Sequence, residues 1–514
     1  MDRYDVLIAG AGPTGLALAL WLTQQGVKVG IVDKAAEPGT TSRAMAVQAR
    51  TLELYRQLGL ADEVIGAGKR TVAINLWVKG KRRAHLSLQD AGAGLTPYPF
   101  VLIYPQDRHE QVLIGRLAQA GVQVQRPLEL AGFEDREDYV VARLRDAGGA
   151  ERACEARFLA GCDGARSSVR QKLGAGFPGG TYDHIFYVAD VEAKGLDTGG
   201  EVHLSLETAD FVILLPYSDD GRARLIGTIR EGHGSGPGAW SFDDVSHRAM
   251  HSLGLEVDKV HWFSTYRVHH RVTSHYRSGQ VFLVGDAAHV HSPAGGQGMN
   301  TGIGDAVNLA WKLAAVVRHE APDSLLDSYE TERLAFARKL VDTTDRLFTF
   351  ITAEGNFADF VRVRIAPLFA SVAYSMDTVR EFLFRIISQI TISYHDSPLS
   401  VDVAGSGGGG NIRAGDRLPW VAVDGVDNHA QPGPIDWQVQ VVGTAGEGLR
   451  AWCLLHGMPL HELPWHPAHE HAGFARNAAY LVRPDGHVAL CDPHAGPTAV
   501  AHYFRDRAYR RFCD

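Results

Sequence analysis

The sequence is poor in cysteine. Its 514 residues hold five, Cys154, Cys162, Cys453, Cys491 and Cys513, and no two stand at C-x-x-C spacing. So sparse and odd a set argues against a disulfide framework and against a zinc site, and suits free thiols in a reducing, cytoplasmic setting; no metal is expected. Positive charge is equally thin. The formal net charge is −8 and the densest basic run is GKRRAH. Nucleic-acid binders need a concentrated cationic face, so no nucleic-acid partner is expected. Apolar residues make up 45% of the chain, yet no apolar run is long enough to span a bilayer. The opening MDRYDVLIAG reads as a strand rather than a signal peptide. The remaining picture is a globular protein too long for one ordinary core, with two or three domains.

What the chain has in quantity is glycine, 56 residues, much of it at junctions between apolar runs and helical patterns. Residues 4–9 (YDVLIA) are a short apolar run closed by glycine, the pattern of a buried strand. A helix is expected over 14–25 and a second strand over 27–33, which together make a βαβ unit on a parallel sheet. Further helices are expected over 46–58 and 107–120. Residues 70–100 and 180–275 alternate in short strands broken by Gly/Asp turns, and are expected to form one inserted antiparallel sheet. At 280–285 the chain returns with QVFLVG, a buried parallel strand, and helices dominate from 302 to 392. A Gly/Ser linker, AGSGGGGN, precedes a final α/β segment ending in a helix over 496–510.

Gly10-Ala11-Gly12-Pro13-Thr14-Gly15 matches G-x-G-x-x-G between a strand and a helix, and Asp33 ends the next strand. One glycine permits the tight turn, one lets a pyrophosphate reach the backbone, and one lets helix pack on strand; the acid is placed for ribose hydroxyls. This is a dinucleotide fingerprint. Two later motifs add acids at strand ends: Asp163-Gly164 in GCDGARSSVR, with Arg166 and Arg170 beyond, and Gly285-Asp286 in VFLVGDAAH.

In order, GAGPTG, Arg43 in SRAMAVQARTLELYRQLGL, Gln106, the Asp-Gly motif and GDAAHVHSPAGGQGMNTGIGDAVNLAWKLA resemble the FAD-dependent aromatic hydroxylases, the class A flavoprotein monooxygenases of the p-hydroxybenzoate hydroxylase type. The resemblance covers roughly residues 1–395. LVRPDGHVAL and its surroundings look like the thioredoxin-like C-terminal domain of the phenol and polyketide hydroxylase branch. The implied fold is α/β: a Rossmann-like FAD-binding domain (1–70, 101–178 and 279–395) with an inserted antiparallel-sheet substrate domain (71–100 and 179–278). A linker (396–411) leads to the thioredoxin-like domain (412–514).

The resemblance implies non-covalent FAD, reduction by NADPH or NADH, and hydroxylation of a phenolic or polycyclic substrate by O2 through a flavin C4a-hydroperoxide. The single fingerprint matches a family without a separate nicotinamide domain. The FAD contacts it implies are Gly10, Gly12, Pro13, Thr14, Gly15, Asp33, Lys34, Arg43, Gln106, Asp163, Gly285 and Asp286. To these are added Pro293 against the ring, then Gly296, Gly298, Met299 and Asn300, where the main chain and a helix N-terminus face the flavin. Ile213, Leu215 and Tyr217, with Pro293, are expected to line the substrate pocket. Their face carries no charged residue of the kind that anchors a carboxylate, which favours a neutral substrate. No catalytic base stands out among 24 histidines. A halogenase of this fold would carry a Trp-x-Trp stretch, and no two of the nine tryptophans are two residues apart. An FAD oxidase or dehydrogenase, and a flavin-fold protein that only binds a drug, remain as alternatives. The last domain lacks a redox pair, so packing or an oligomer contact such as a homodimer is its expected role.

Overall fold

The apolar run that opens the chain forms the centre of the first sheet. In the computed structural model, residues 2–40, 44–196, 198–207, 211–218, 220–229, 240–245, 247–291, 296–352, 377–403, 410–430 and 435–512 are described. Strand Asp2–Ala9 lies between Glu151–Gly161 and Val29–Val32, parallel to both, and Val281–Leu283 continues the parallel set beyond Glu151–Gly161. Val6 to Ala9 are all buried, as expected of a strand covered on both faces. The helix after the first glycine turn is Pro13–Gln24, with Gly15 to Leu22 all buried, so it is apolar all round rather than amphipathic. Two strands that the sequence did not announce, Leu128–Asp135 and Val140–Asp146, extend this sheet as an antiparallel meander on Glu151–Gly161.

The expected helix over 46–58 begins later, at Ala49, because Ala46–Val47 is taken as a strand by Val101–Ile103. With Lys69–Thr71 these form a small three-stranded sheet. The inserted sheet has eight strands and includes Ala73–Val78, Lys81–Ser87, Gly179–Lys194, Val202–Leu206, Phe211–Pro216, Arg222–Ile229 and Glu256–Val272. It is antiparallel except where Val202–Leu206 runs parallel to Ala73–Val78, since these two strands enter from separate segments of the chain. One face packs on Ala249, Met250, Leu253 and Leu255; the other turns toward the small sheet.

Gly298–Val317 is a 20-residue helix, buried almost throughout, and Asp327–Thr352 and Asp377–Ile387 follow. The C-terminal segment is a five-stranded mixed sheet, whose central strands are Gln438–Val442, Ala479–Val482 and Val488–Asp492, flanked by helices Glu447–Leu455 and Pro497–Asp506. It docks on the rest through Trp437, which meets Trp311 edge to face at 5.6 Å. Residues 404–409 of the expected linker lie outside the described residues. Among the described residues no helix is long and apolar enough to cross a membrane, and no cluster of three potential ligands could hold a metal ion.

Candidate active site

Three loops meet at the carboxyl ends of three adjacent parallel strands, the place where open α/β sheets bind ligands. The first follows Ala9. A methyl group on Gly10 would collide with the Cys162 carbonyl, and one on Gly15 with the Gly10 carbonyl, so both glycines are demanded by crowding. A methyl on Gly12 would meet nothing within 4 Å among the described residues. Gly12 caps the helix Pro13–Gln24 without a side-chain bond, and no acid stands in the first turn. The positive helix end is therefore open to an anion.

Asp33 is committed to this loop. Its carboxylate accepts the Ala11 amide at 2.7 Å and the Ala35 amide at 2.8 Å, and the Arg126 guanidinium stands 3.3 Å away. Arg126 also donates to the Ala11, Ala35 and Glu37 carbonyls. Sequence reading missed Arg126. The available signal was a lone arginine in QRP just after a predicted helix, beside Gln125, which bridges to Val32. Lys34 is exposed next to Asp33.

In the second loop Asp163 Oδ2 accepts from the Ser168 amide (2.7 Å), the Ser168 hydroxyl (3.0 Å) and the Val169 amide (3.2 Å). Its Oδ1 is buried and has no partner among the described residues. Arg166 is exposed, whereas Arg170 is buried and joins the second loop to the third, donating to the Ala165 and Ala287 carbonyls at 2.8 Å each. In the third loop Gly285 has φ +62°, and a methyl there would strike Thr14 Oγ1. Asp286 follows on the exposed side.

The third loop is pinned from below. Asp305, fully buried in the 20-residue helix, accepts the Gly285 amide at 3.0 Å, His289 Nε2 at 2.7 Å and Arg333 Nε at 2.5 Å. Burial opposes ionisation of Asp305, but Arg333 and His289 hold its carboxyl below the usual range. His289 is thereby a structural ligand of Asp305. His269 is likewise bonded, to Thr181 at 2.7 Å.

At the start of the same helix, Asn300 Oδ1 accepts the Gln48 amide and the Thr51 hydroxyl, and its Nδ2 donates to the Ala46 and Gly296 carbonyls. Its side chain is thus spent on protein groups. Gly296, at φ +62°, abuts Ala46. Gln106 bonds Ala44 through both its backbone and its side chain, and donates to Glu110 at 2.8 Å. Arg43 and Pro293 lie outside the described residues.

Ile213, Leu215 and Tyr217 pack with Met45, Val101 and Ile103 of the small sheet. Because Met45 adjoins Ala46, this apolar stripe borders the Gly296–Asn300 turn. The expectation of an uncharged face needs correction. It holds for the strand 211–217, but Arg224 on the next strand stands directly opposite Leu215 and forms an ion pair with Asp190. The periodicity of one strand could not reveal which charge its neighbour presents.

These features fit an extended dinucleotide. Among the described residues they provide an uncapped helix end, space above Gly12 that no atom fills, and an unpartnered buried carboxylate oxygen at Asp163. The comparisons with known proteins agree. Residues 3–344 match a family model described as FAD binding domain. The 6-methylpretetramide 4-monooxygenase of Streptomyces rimosus is 38% identical over 413 residues, covering 78% of this chain and 71% of that protein. The pentachlorophenol 4-monooxygenase of Sphingobium chlorophenolicum is 32% identical, covering 80% and 75%. The solved structure of the OxyS anhydrotetracycline hydroxylase from Streptomyces rimosus superposes with a TM-score of 0.76 at 28% identity, covering 98% of each chain. The chain belongs to the FAD-binding domain family, and within it is an FAD-dependent monooxygenase of the aromatic-hydroxylase kind.

Proposed function

We propose that the protein hydroxylates a neutral phenolic or polycyclic aromatic compound, using NADPH or NADH and O2. The observation that carries this is the meeting of the apolar stripe Ile213–Leu215–Tyr217 with the glycine-rich turn at Gly296–Asn300, through Met45 and Ala46. A cofactor cradle and an aromatic-sized apolar surface thus share one wall. Two relatives are named for a pretetramide and for pentachlorophenol, which suits an aromatic substrate.

When bound, FAD supplies the redox chemistry, taking hydride from the nicotinamide and activating oxygen. The chain's own residues bind and orient. Gly10, Gly12, Pro13, Thr14 and Gly15 hold the diphosphate at the helix end. Asp33 and Lys34 serve the ribose end, with Arg126 fixing the Asp33 carboxylate. The buried Oδ1 of Asp163 and the exposed carboxylate of Asp286 receive hydroxyl groups, as carboxylate acceptors do. Arg43 and Gln106 flank the diphosphate and ribityl parts. Gly285, Gly296 and Gly298 let the main chain approach, and the amides at Met299 and Asn300 face the ring edge that becomes negative on reduction. Pro293, Ile213, Leu215 and Tyr217 bound the substrate and exclude water. Domains divided at 70, 100, 178, 278, 395 and 411 suit these roles.

The test is a panel of neutral phenols scored by stimulated NADPH and NADH oxidation, with mass detection of a product heavier by one oxygen atom. Stimulation accompanied by that product is the expected result. Nicotinamide oxidation that never yields an oxygenated product would overturn the hydroxylase reading in favour of an oxidase.

A further inference from the structure

One row of side chains on the substrate face is left unexplained by the apolar stripe. Leu215 lies opposite Arg224, Arg224 opposite Asp190, and Asp190 opposite Trp262, on four neighbouring strands. Directly opposed residues point to the same side of a sheet, so all four stand on the face that carries Ile213 and Leu215. Arg224 Nε and Nη2 donate to Asp190 Oδ1 and Oδ2, each at 2.7 Å. The guanidinium carbon lies 5.7 Å from the centre of the Trp262 ring. The Tyr217 hydroxyl, half-buried at the end of the apolar stripe, stands in the fields of both Asp190 and Arg224.

The two partners are not equally accessible. The Arg224 side chain is 1% exposed and the Asp190 side chain 19%. The cation is therefore covered, and the carboxylate is the more accessible partner of the pair. A carboxylate has about four acceptor positions, and the two-pronged bond to Arg224 takes two of them. The pair offers no free cation to an anionic substrate, which would meet the negative member first. A neutral O–H donor finds acceptor positions open. Both carboxylate oxygens are held by Arg224, so the carboxylate is fixed in place to orient a hydroxyl.

We propose that Asp190, held in place by Arg224, is the specificity-determining acceptor of the substrate site: it takes a hydrogen bond from a hydroxyl group of a neutral phenol whose ring lies along Leu215, Tyr217 and Trp262. This rests on the aromatic-substrate reading given above.

The probe is a hydroxyanthraquinone and its O-methyl ether, which keeps the ring but cannot donate. Dissociation constants for the FAD-loaded protein are read from the probe's own fluorescence, and the FAD dissociation constant is measured alongside. The wild type is expected to prefer the free hydroxyl by about tenfold or more, the scale of a hydrogen bond to a charged acceptor. Asp190→Asn leaves Arg224 facing a neutral amide, so a second variant, Asp190→Leu with Arg224→Met, replaces the whole pair by apolar side chains, a change buried ion pairs commonly tolerate. In either variant the preference is expected to fall to within about twofold while FAD affinity holds. An unchanged preference in a folded, FAD-loaded variant overturns the proposal. So does failure of both variants to fold, which would assign the pair to holding the sheet. If the wild type binds neither probe, no phenol in the wider panel stimulates it and none gains an oxygen, the aromatic-substrate reading itself falls, a result distinct from loss of discrimination alone.

Discussion

Glycine is required for opposite reasons within six residues of the first loop. At Gly15 the protein itself leaves no room, since an added methyl would run into the Gly10 carbonyl. At Gly12 the described residues leave the space empty, and its backbone (φ −79°, ψ −176°) is one that alanine adopts freely. Gly15→Ala should therefore lower the melting temperature of the apoprotein. Gly12→Ala should leave that temperature nearly unchanged and weaken FAD binding; differential scanning fluorimetry of the apoprotein and flavin titration separate the two. At the same scale, Asp286→Ala should weaken FAD binding by about 1.5–3 kcal/mol, the worth of a lost hydrogen bond to a charged group, and Arg166→Ala by much less. Equal FAD dissociation constants in the two variants would count against the placement of Asp286. The glycines and strand-end acids were legible because motif spacing is local. Arg126, Arg170 and Arg224 acquire their meaning only from partners that the fold brings from other segments: Asp33, the Ala287 carbonyl and Asp190.

Among elements, the helix Gly298–Val317 has the most to do. Its first turn is fixed by Asn300, and its second by Asp305, which also holds the Gly285 turn and Arg333. Removing a partner from a buried ion pair costs about 3–5 kcal/mol, because a charge is left uncompensated. Asp305→Ala should destabilise the protein by that order in guanidinium denaturation, and flavin fluorescence should report earlier release. The sequence marked this helix plainly, as it did the strands expected over 4–9 and 27–33, which form as Asp2–Ala9 and Val29–Val32. It did not show Ala46–Val47 as a strand, because two residues carry no period. Nor did it show the parallel pairing of Val202–Leu206 with Ala73–Val78, because direction depends on a connection more than a hundred residues long.

In the whole molecule, the C-terminal unit is joined to the flavin unit by buried charge. Glu53, on the flavin side, accepts Arg417 Nε at 2.8 Å, Arg50 at 3.1 Å and the Thr96 hydroxyl at 2.7 Å. Burial works against its ionisation, yet Arg417 and Arg50 hold its carboxyl down to about 2 from 4.5. A folded-state value below the unfolded one gives stability that is fully present above about 4.5 and is lost as pH falls toward about 2, here worth about 3 kcal/mol. Wild-type stability should thus fall across that acid window more steeply than that of Glu53→Gln, as measured by denaturant titration at a series of pH values. Cys453 and Cys491 are buried, and burial pushes the Cys453 thiol up to about 11 and the Cys491 thiol higher. Cys513 lies outside the described residues. Replacing all three by serine or alanine should leave nicotinamide-dependent turnover within a few-fold of wild type; collapse in a folded, FAD-loaded variant would show a redox role after all.

The second joint has a consequence for solution behaviour. Arg483, in the turn RPDGH of the C-terminal sheet, donates to Glu332 at 2.7 and 2.9 Å and to Asp485 at 2.6 Å, while Lys312 reaches Glu332 at 2.8 Å. Arg483, Glu332 and Lys312 have no exposed side-chain surface. Mobile ions act on charges they can surround, and they screen buried pairs far less than exposed ones. Ionic strength should therefore leave this junction untouched: molar sodium chloride would not release the C-terminal unit, and cutting the chain near 396–411 would yield two pieces that still co-elute.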